Sequence, residues 1–176
     1  MATISNFKAN LTGGGARPNQ FRVSLKFPEQ IKTGLVASEK AQFLCKGASL
    51  PASTIQNIPL SYRGRQVNVS GEREFEPWTI TVYNDTDFAI RNAFEEWSHL
   101  VAKYGETCGT TNPLSYQTDA TVEQLSRCDD VLKSYQFVDV YPTSVSEIEL
   151  SFEDGSQIET FTVTLQYNYF LPSKVG

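Results

Sequence analysis

Residues 158–170 read Ile-Glu-Thr-Phe-Thr-Val-Thr-Leu-Gln-Tyr-Asn-Tyr-Phe, and this segment gives the clearest structural signal in the chain. From residue 161 onward every second side chain is large and apolar. A period of two predicts a β-strand with one buried face, whose register is fixed because a one-residue slip would turn the whole set out to water. The predicted buried set is Phe161, Val163, Leu165, Tyr167 and Tyr169.

The opposite face of this strand is polar yet uncharged. It consists of Thr160, Thr162, Thr164, Gln166 and Asn168. Such a face suits water, the lumen of a channel or another subunit equally well. The function of the chain depends on which of these it meets.

Length and composition predict one globular domain over residues 1–176. The hydrophobic fraction is 40% and the aromatic fraction 12%, which is typical of a β-rich globular protein. Three cysteines without CxxC spacing indicate neither a disulfide framework nor a zinc site. No apolar run has the length of a membrane helix and no secretion signal is visible, so we expect no membrane anchor and synthesis in a cytoplasm.

The charge is unevenly distributed along the chain. The net charge of -5 argues against a nucleic-acid-binding surface. Residues 1–84 hold ten Lys/Arg and five Asp/Glu, whereas residues 85–176 hold five and fifteen. If the two halves form different surfaces, this polarity favours head-to-tail self-association.

The first half of the chain is predicted to contain strands and two arms. Residues 1–20 carry a glycine run without periodicity and predict a flexible arm. Alternation predicts a strand at 21–27, a polar loop follows at 29–41, and a short apolar strand is expected at 43–46. Residues 55–69 predict an extended arm that turns near Gly64, between Arg63 and Arg65.

A strand at 78–83, with Trp78 on its buried face, precedes the one substantial helix, which is predicted over residues 87–104. Its apolar stripe, spaced by three and four, is Ile90, Phe94, Trp97, Val101 and Tyr104. Residues 84–87, Asn-Asp-Thr-Asp, suggest a metal site, but a helix N-cap explains them better. Gly105 is placed to end the helix.

Residues 105–134 are predicted to form a long connection with at most one short helix. Strands are expected at 135–141, ended by Pro142, and at 148–152, where a turn at Asp154-Gly155 leads into the final strand as a C-terminal hairpin. Together these elements predict a mainly β fold, an antiparallel β-sandwich or small barrel with one flanking α-helix.

The residues give no sign of catalysis. The chain has no nucleophile paired with a base, no motif-placed acid pair, no metal spacing and no cofactor fingerprint, and its only histidine, His99, lies off the helix stripe. We therefore predict no enzyme and no cofactor. A ligand-binding β-sandwich that uses Trp78 and Tyr83 remains an alternative.

Several segments that together cover nearly the whole chain, in order, form a recognisable set. They are Phe43-Leu44-Cys45-Lys46-Gly47-Ala48-Ser49-Leu50-Pro51-Ala52-Ser53, Tyr62-Arg63-Gly64-Arg65, Gly71-Glu72-Arg73-Glu74-Phe75-Glu76-Pro77-Trp78, Asn84-Asp85, Arg91-Asn92-Ala93-Phe94-Glu95-Glu96-Trp97, residues 116–126, Phe137-Val138-Asp139-Val140-Tyr141-Pro142-Thr143 and Phe161-Thr162-Val163-Thr164-Leu165-Gln166-Tyr167. These segments resemble the tail tube proteins of contractile-tailed, T4-like phages. Asn6-Phe7-Lys8 and the glycine run before Pro18 are also similar to that group.

The resemblance implies a hexameric ring whose subunits join their sheets around a channel, with rings stacked into the inner tail tube that delivers the genome. It implies as partners further copies of the chain, the sheath protein, the baseplate tube-initiator, the tape measure protein and the tail terminator. It places the protein in the virion, after assembly in the host cytoplasm. An acidic bore would let DNA pass without specific binding. A baseplate initiator or a type VI secretion ring protein remains an alternative.

For contacts between rings and subunits we expect the arm at 55–69 and the N-terminal arm to be used, because they have the least core of their own and much basic charge. The candidate contact residues are Arg17, Arg63, Gly64, Arg65 and Arg73.

Overall fold

A computed structural model describes residues 3–106, 109–152 and 155–173. Its helices are α1 (Ile4–Asn10), α2 (Gly34–Leu44) and α3 (Ala89–Val101), with 3-10 turns at Thr12–Gly14 and Pro113–Ser115. Its strands are β1 (Phe21–Leu25), β2 (Cys45–Ala48), β3 (Ser53–Tyr62), β4 (Arg65–Phe75), β5 (Trp78–Tyr83), β6 (Thr118–Leu125), β7 (Val131–Val145), β8 (Thr160–Gln166) and β9 (Tyr169–Ser173).

All strand pairs are antiparallel, and the larger sheet runs in the order β1-β6-β7-β8-β5-β2. Different parts of strand β7 pair with different strands. Its residues 131–140 pair with β6 and, on the other side, with β9, whereas residues 141–145 pair with β8. The predicted fold class, a mainly β antiparallel architecture, is confirmed, but within the described residues the sheet does not close into a barrel.

A corner at Asp139 lets β7 change partners. Asp139 has a φ of 59°, in the left-handed region that Asp tolerates better than most residues. Its carboxylate accepts a 2.8 Å hydrogen bond from the Asn168 amide, and the Asn168 backbone N–H donates to the Val138 carbonyl at 3.1 Å. The corner therefore joins the bend in β7 to the break between β8 and β9.

The alternation predicted one continuous final strand, but the strand breaks at this corner into β8 and β9. The break shifts the alternation by one residue: Tyr169 is 42% exposed, contrary to prediction, and Phe170 turns inward instead. The Phe170 ring packs edge-on against Phe75 and Tyr135 at 5.5 and 5.9 Å. A period-two pattern cannot reveal where a strand leaves one sheet for another.

The core lies behind β5 and β8, whose registered pairs bring apolar side chains face to face. Trp78 lies opposite Leu165 and stacks on Phe137, with ring centroids 4.2 Å apart. The edge of Tyr167 meets the same Phe137 ring at 4.9 Å. The other predicted core residues of β8, Phe161 and Val163, are likewise fully buried.

Helix α3 packs on this core through Ile90, Phe94 and Trp97, but it is shorter than predicted. It begins at Ala89 and ends at Val101, because Ala102 is extended with a φ of -143°, so Gly105 does not end it. Val101 is only partly buried against the core. Tyr104 lies beyond the helix and is 72% exposed, so its predicted place in the stripe is wrong.

The predicted loop at 29–41 is wrong, because most of it belongs to helix α2. This helix packs on α3 and β1 through the small residues Gly34, Ala37 and Ala41. A Cβ on Gly34 would lie 2.9 Å from the Phe27 Cβ, so only glycine permits this close approach. Leu35, Val36 and Phe43 of α2 are exposed, so large apolar residues do not form the stripe that marks a packed helix. The strand predicted at 43–46 consequently starts only at Cys45.

The predicted long connection at 105–134 is also wrong: it contains β6, inside the sheet, and the beginning of β7. Register shifts at both ends of β6 disturb its alternation, which explains why no strand was predicted there. The Trp97 indole donates to the Tyr116 carbonyl at 2.7 Å and fixes the approach to β6. Residues 107–108 lie outside the described residues.

The C-terminal hairpin differs from prediction as well. Strand β7 continues through Pro142, and residues 146–152 and 155–159 contain no strand. Asp154, half of the predicted turn, lies outside the described residues. At the other end of the chain, residues 3–20 include the short helix α1, which buries none of its residues.

The buried side chains of β5 should contribute more to the stability of the fold than its exposed side chains. Changing Ile80, which is fully buried, to Ala should lower the free energy of unfolding by about 2–5 kcal/mol through lost transfer energy and a cavity. Its exposed neighbour supplies the control: Thr79→Ala should change stability by less than about 1 kcal/mol. Chemical denaturation of the unassembled chain measures both, and equal effects would contradict the assignment of the two faces.

Candidate assembly surfaces

The most conspicuous surface is the hairpin of β3 and β4, which we call the arm. Its strands pair from Ser53 opposite Phe75 to Tyr62 opposite Arg65. The turn residues Arg63 and Gly64 have φ values of 47° and 79°, as a two-residue type I′ turn requires. The predicted arm at 55–69 lies inside this longer hairpin.

The arm has one polar and one apolar face. Directly opposed residues of an antiparallel pair share a face, which places Ile58 beside Val69 and Leu60 beside Val67. Together with Tyr62, these side chains remain 44–63% exposed. On the other face the register opposes polar residues, including Ser61 and Gln66. The arm therefore carries an apolar stripe that its own chain leaves in water.

A bulge near the base of the arm places a glycine where a side chain would be tightly crowded. The register shifts between Ile55 and Asn57, and Gly71 lies against this irregularity. A Cβ on Gly71 would approach the Gln56 carbonyl oxygen to 3.0 Å and Ile58 Cγ1 to 3.2 Å. The bulge adds local twist, which directs the outer part of the arm.

The predicted contact residues are only partly brought together. Arg63, Gly64 and Arg65 form the tip, where the Arg63 guanidinium lies 5.3 Å from the Tyr62 ring centroid. Arg73 lies at the base, where its Nη1 donates to Ser53 Oγ at 3.0 Å.

Arg17 belongs to a different place, beside the end of β6, where its carbonyl accepts a 2.8 Å hydrogen bond from Gln124. The contact role of all five residues stays a prediction. The apolar stripe was missed, although the alternation of residues 58, 60 and 62 and of 67 and 69 across the Arg63-Gly64 turn would have indicated it.

The arm is attached firmly at its base. Phe75, its last residue, packs against the Tyr167 ring at 6.0 Å as well as against Phe170, both next to the corner. The Trp78 indole donates to the Ser49 carbonyl at 2.8 Å, which fixes the segment that leads into β3. The base of the arm is therefore packed against the core, while the outer part of the hairpin contacts solvent.

Two further surfaces suit contacts with other chains. The outer face of β5 and β8 is lined by hydroxyls, with Thr79 opposite Thr164 and Thr81 opposite Thr162, in agreement with the predicted uncharged face. In addition, β1 and β2 end the main sheet and β9 pairs only with β7 in the described part of the chain. Open strand edges are templates for pairing with other chains.

The acidic residues before α3 form a clamp on a lysine. Lys40 Nζ lies 2.5 Å from Asp85 Oδ2 and 2.9 Å from Asp87 Oδ2. The Asp87 backbone N–H and then Lys40 stabilise the Asp85 carboxylate and lower its pKa. The two carboxylates in turn raise the pKa of Lys40. Across residues 3–106, 109–152 and 155–173 no group of His, Cys, Asp or Glu could hold a metal ion.

Two side chains that could be reactive, those of Cys45 and His99, are partly buried or in contact with neighbouring residues. Burial raises the pKa of the Cys45 thiol to about 11, so it is protonated at neutral pH. The His99 ring stacks on Tyr104 at 5.3 Å, and its Nδ1 accepts the Tyr104 backbone N–H. Cys108 lies outside the described residues. No helix in the described part of the chain is long and apolar enough to cross a membrane.

Comparison with known sequences gives matches over nearly the whole chain. A family model described as phage tail tube protein matches residues 16–173. The chain is 34% identical to tail tube protein gp19 of Enterobacteria phage T4, over 90% of this chain and 93% of that protein. It is 25% identical to the tail tube protein of Serratia phage KSP90, over 95% of both chains.

Solved structures share the fold at low sequence identity. The tube-terminating cap of the anti-feeding prophage matches with a TM-score of 0.67 and 15% identity, covering 91% of both chains. A chain of the six-fold symmetrised baseplate of that particle gives 0.65 and 10%, over 92% of this chain and 97% of that one. A chain of the sheath-tube complex of the PVC extracellular contractile injection system gives 0.61 and 12%, over 99% and 100%.

The lysine clamp predicts an acid dependence of stability. Because the pKa of Asp85 is lowered on folding, its contribution is present above the ordinary Asp value of about 3.9 and is lost as pH falls through the lowered folded value. Asp85→Asn should therefore be less stable than the unchanged chain at pH 7, and the gap should shrink below about pH 4. Denaturant unfolding of both at several pH values measures this.

Glu106→Gln is the control, because Glu106 forms an exposed pair with Lys103 on the surface. Its effect on the free energy of unfolding should be small at pH 7. A gap between Asp85→Asn and the unchanged chain that stayed constant from pH 7 to pH 3 would contradict the proposed clamp.

Proposed function

The chain belongs to the phage tail tube protein family, and we propose that it forms hexameric rings that stack into the inner tail tube. As a member of this family it is a structural component of a contractile phage tail and not an enzyme. This tube is the conduit through which the genome enters the host cell. Residues 1–176 act in it as a single tail-tube domain.

The observation that carries this proposal is the apolar stripe of the arm. Ile58, Leu60 and Tyr62 are about half exposed on a hairpin that is fixed at its base. Full burial of such a side chain is worth about 1.5–3 kcal/mol, so covering the exposed half gains about 1 kcal/mol for each residue. In a ring of six, every ring-to-ring contact would sum this gain over six arms. Stacking through the arms therefore has a large apolar driving force.

The open sheet supports the ring. Strands at the edges of a sheet expose unpaired backbone groups, and closure between subunits removes them. The structural relative from the anti-feeding prophage baseplate belongs to a six-fold assembly. We propose the same symmetry here, with sheets from neighbouring subunits joined around the channel.

For the conduit we propose a bore that DNA passes without specific binding. Each subunit carries a net charge of -5, and a ring of six repeats it. Negative charge on the bore would repel phosphates, so the genome slides and does not adhere. The uncharged threonine face of β5 and β8 would serve equally well as a lining without affinity for phosphate.

The partners that follow are further copies of the chain, the sheath protein, the baseplate tube-initiator, the tape measure protein and the tail terminator. Two structural relatives, from a sheath-tube complex and from a terminating cap, support the sheath protein and the terminator in this set. Assembly would take place in the host cytoplasm and end in the virion.

Electron microscopy of the purified protein tests the proposal. We expect six-fold rings, or hollow tubes of constant width at high protein concentration, and light scattering should give a mass near six times 19.7 kDa for the rings. Rings that never extend into tubes would indicate a tube initiator. A monomer at every concentration, unchanged by addition of a baseplate, would contradict the proposal.

A second prediction isolates the apolar stripe. Leu60→Ser should raise the critical concentration for tube formation at least about tenfold, because about 1 kcal/mol of burial is lost in each of six arms. Ser61→Ala, on the polar face of the same strand, is the matched control and should leave it nearly unchanged. Sedimentation of tubes over a concentration series measures both, and equal values for the two variants would contradict the role of the stripe.

A further inference from the structure

The structure also points to a receptor for the arm. We propose that the tip of the arm docks on the loop at residues 146–159 of a second copy of this chain, in the next ring of the tube. This inference rests on the proposed tube and names the surface that the arm contacts. Residues 153–154 lie outside the described residues, so the proposed docking surface consists of residues 146–152 and 155–159.

The arm and this loop lie at opposite ends of the same strands. The arm leads into β5 at Trp78, whereas the loop enters β8 at Thr160, opposite Tyr83 at the other end of β5. At about 3.3 Å per residue, the six residues of β5 separate these ends by roughly 17–20 Å. A surface at one end that binds a different surface at the other end repeats without limit along an axis, which is the geometry of stacking.

The loop is held in place at both ends. The Ser146 backbone N–H donates to the Thr162 carbonyl at 2.8 Å, and the Arg91 guanidinium donates to the Ser146 carbonyl at 3.0 Å. At the far end, the Asn84 backbone N–H donates to the Glu159 carbonyl at 2.8 Å. Ile148 packs against the core between these points. The two ends of the loop are thus fixed, and its outer side chains extend from these anchored ends.

Those outer side chains combine apolar area with negative charge. Leu150 is 81% exposed, Ile158 is 71% exposed and Phe152 is fully exposed. Glu147 and Glu149 are exposed beside them, and the described part of the loop contains no Lys or Arg. An apolar patch with this much exposure is typical of an interaction site.

The tip of the arm is complementary in both respects. Leu60 and Tyr62 offer apolar area, and Arg63 and Arg65 offer guanidinium groups that bind carboxylates in a bidentate manner. In the described parts of the chain, none of Arg63, Arg65, Glu147 and Glu149 forms an ion pair. Within the described residues both surfaces are thus without an ionic partner, and in the proposed contact their opposite charges attract each other between copies. An acidic loop would repel a nucleic acid.

A charge exchange tests this contact. Arg63→Asp with Arg65→Glu reverses the tip, and Asp suits the positive φ of position 63. Glu147→Arg with Glu149→Arg reverses the loop. Each pair of changes places like charges together at every ring-to-ring contact and should raise the critical concentration for tubes at least about tenfold. The chain with all four changes should return to within about threefold of the unchanged protein.

The control reverses an unrelated surface pair, Lys103→Glu with Glu106→Arg, and should assemble normally. Circular dichroism and the mass of the rings establish that each variant is folded and hexameric, and sedimentation with microscopy gives the critical concentration. If the loop variant assembles normally, or if the four-change chain assembles no better than either pair alone, the inference is wrong while the tube stands. If the unchanged protein forms neither rings nor tubes, the proposed function itself fails.

Discussion

An isolated two-stranded hairpin is at best marginally stable in water, and this constraint governs the arm. The arm is such a hairpin, ten residues of β3 paired with eleven of β4. Its register and type I′ turn are well formed, yet its apolar stripe gains nothing from the core of its own chain. A hairpin of this kind persists where another surface covers the stripe. The proposed tube supplies such a surface, because a second copy of the chain would cover the stripe of the arm.

The core determines where the arm points. Strand β7 changes partners at Asp139, and the break between β8 and β9 at Asn168 is bonded to the same point. The aromatic rings beside this corner, Tyr167 and Phe170, hold Phe75 at the base of the arm. A disturbance of the corner would therefore reach the arm through packed rings. The fold and the assembly surface are linked physically, because the same residues complete the core and orient the hairpin.

The sequence predicted what regular periodicity can reveal. The alternation of residues 161–167, the stripe through Ile90, Phe94 and Trp97, and the turn at Gly64 all correspond to structure, because each is a local pattern. Helix α2 was missed because alanines and a glycine form its packed side. Strand β6 was missed because register shifts disturb its alternation, and the corner because a change of sheet has no periodic signature. At the proposed assembly surfaces, the place of Arg63 and Arg65 at the turn was predicted, but the exposed Leu150 was assigned to a strand.

Hydrogen exchange during assembly measures whether tube formation covers the arm. We expect the backbone amides of residues 53–75 to exchange quickly in the unassembled chain and to become strongly protected when tubes form. The amides of β5, paired on both sides within the chain, should be slow in both states and serve as the internal reference. Exchange in residues 53–75 that is the same before and after tubes form would contradict the claim that assembly covers the arm.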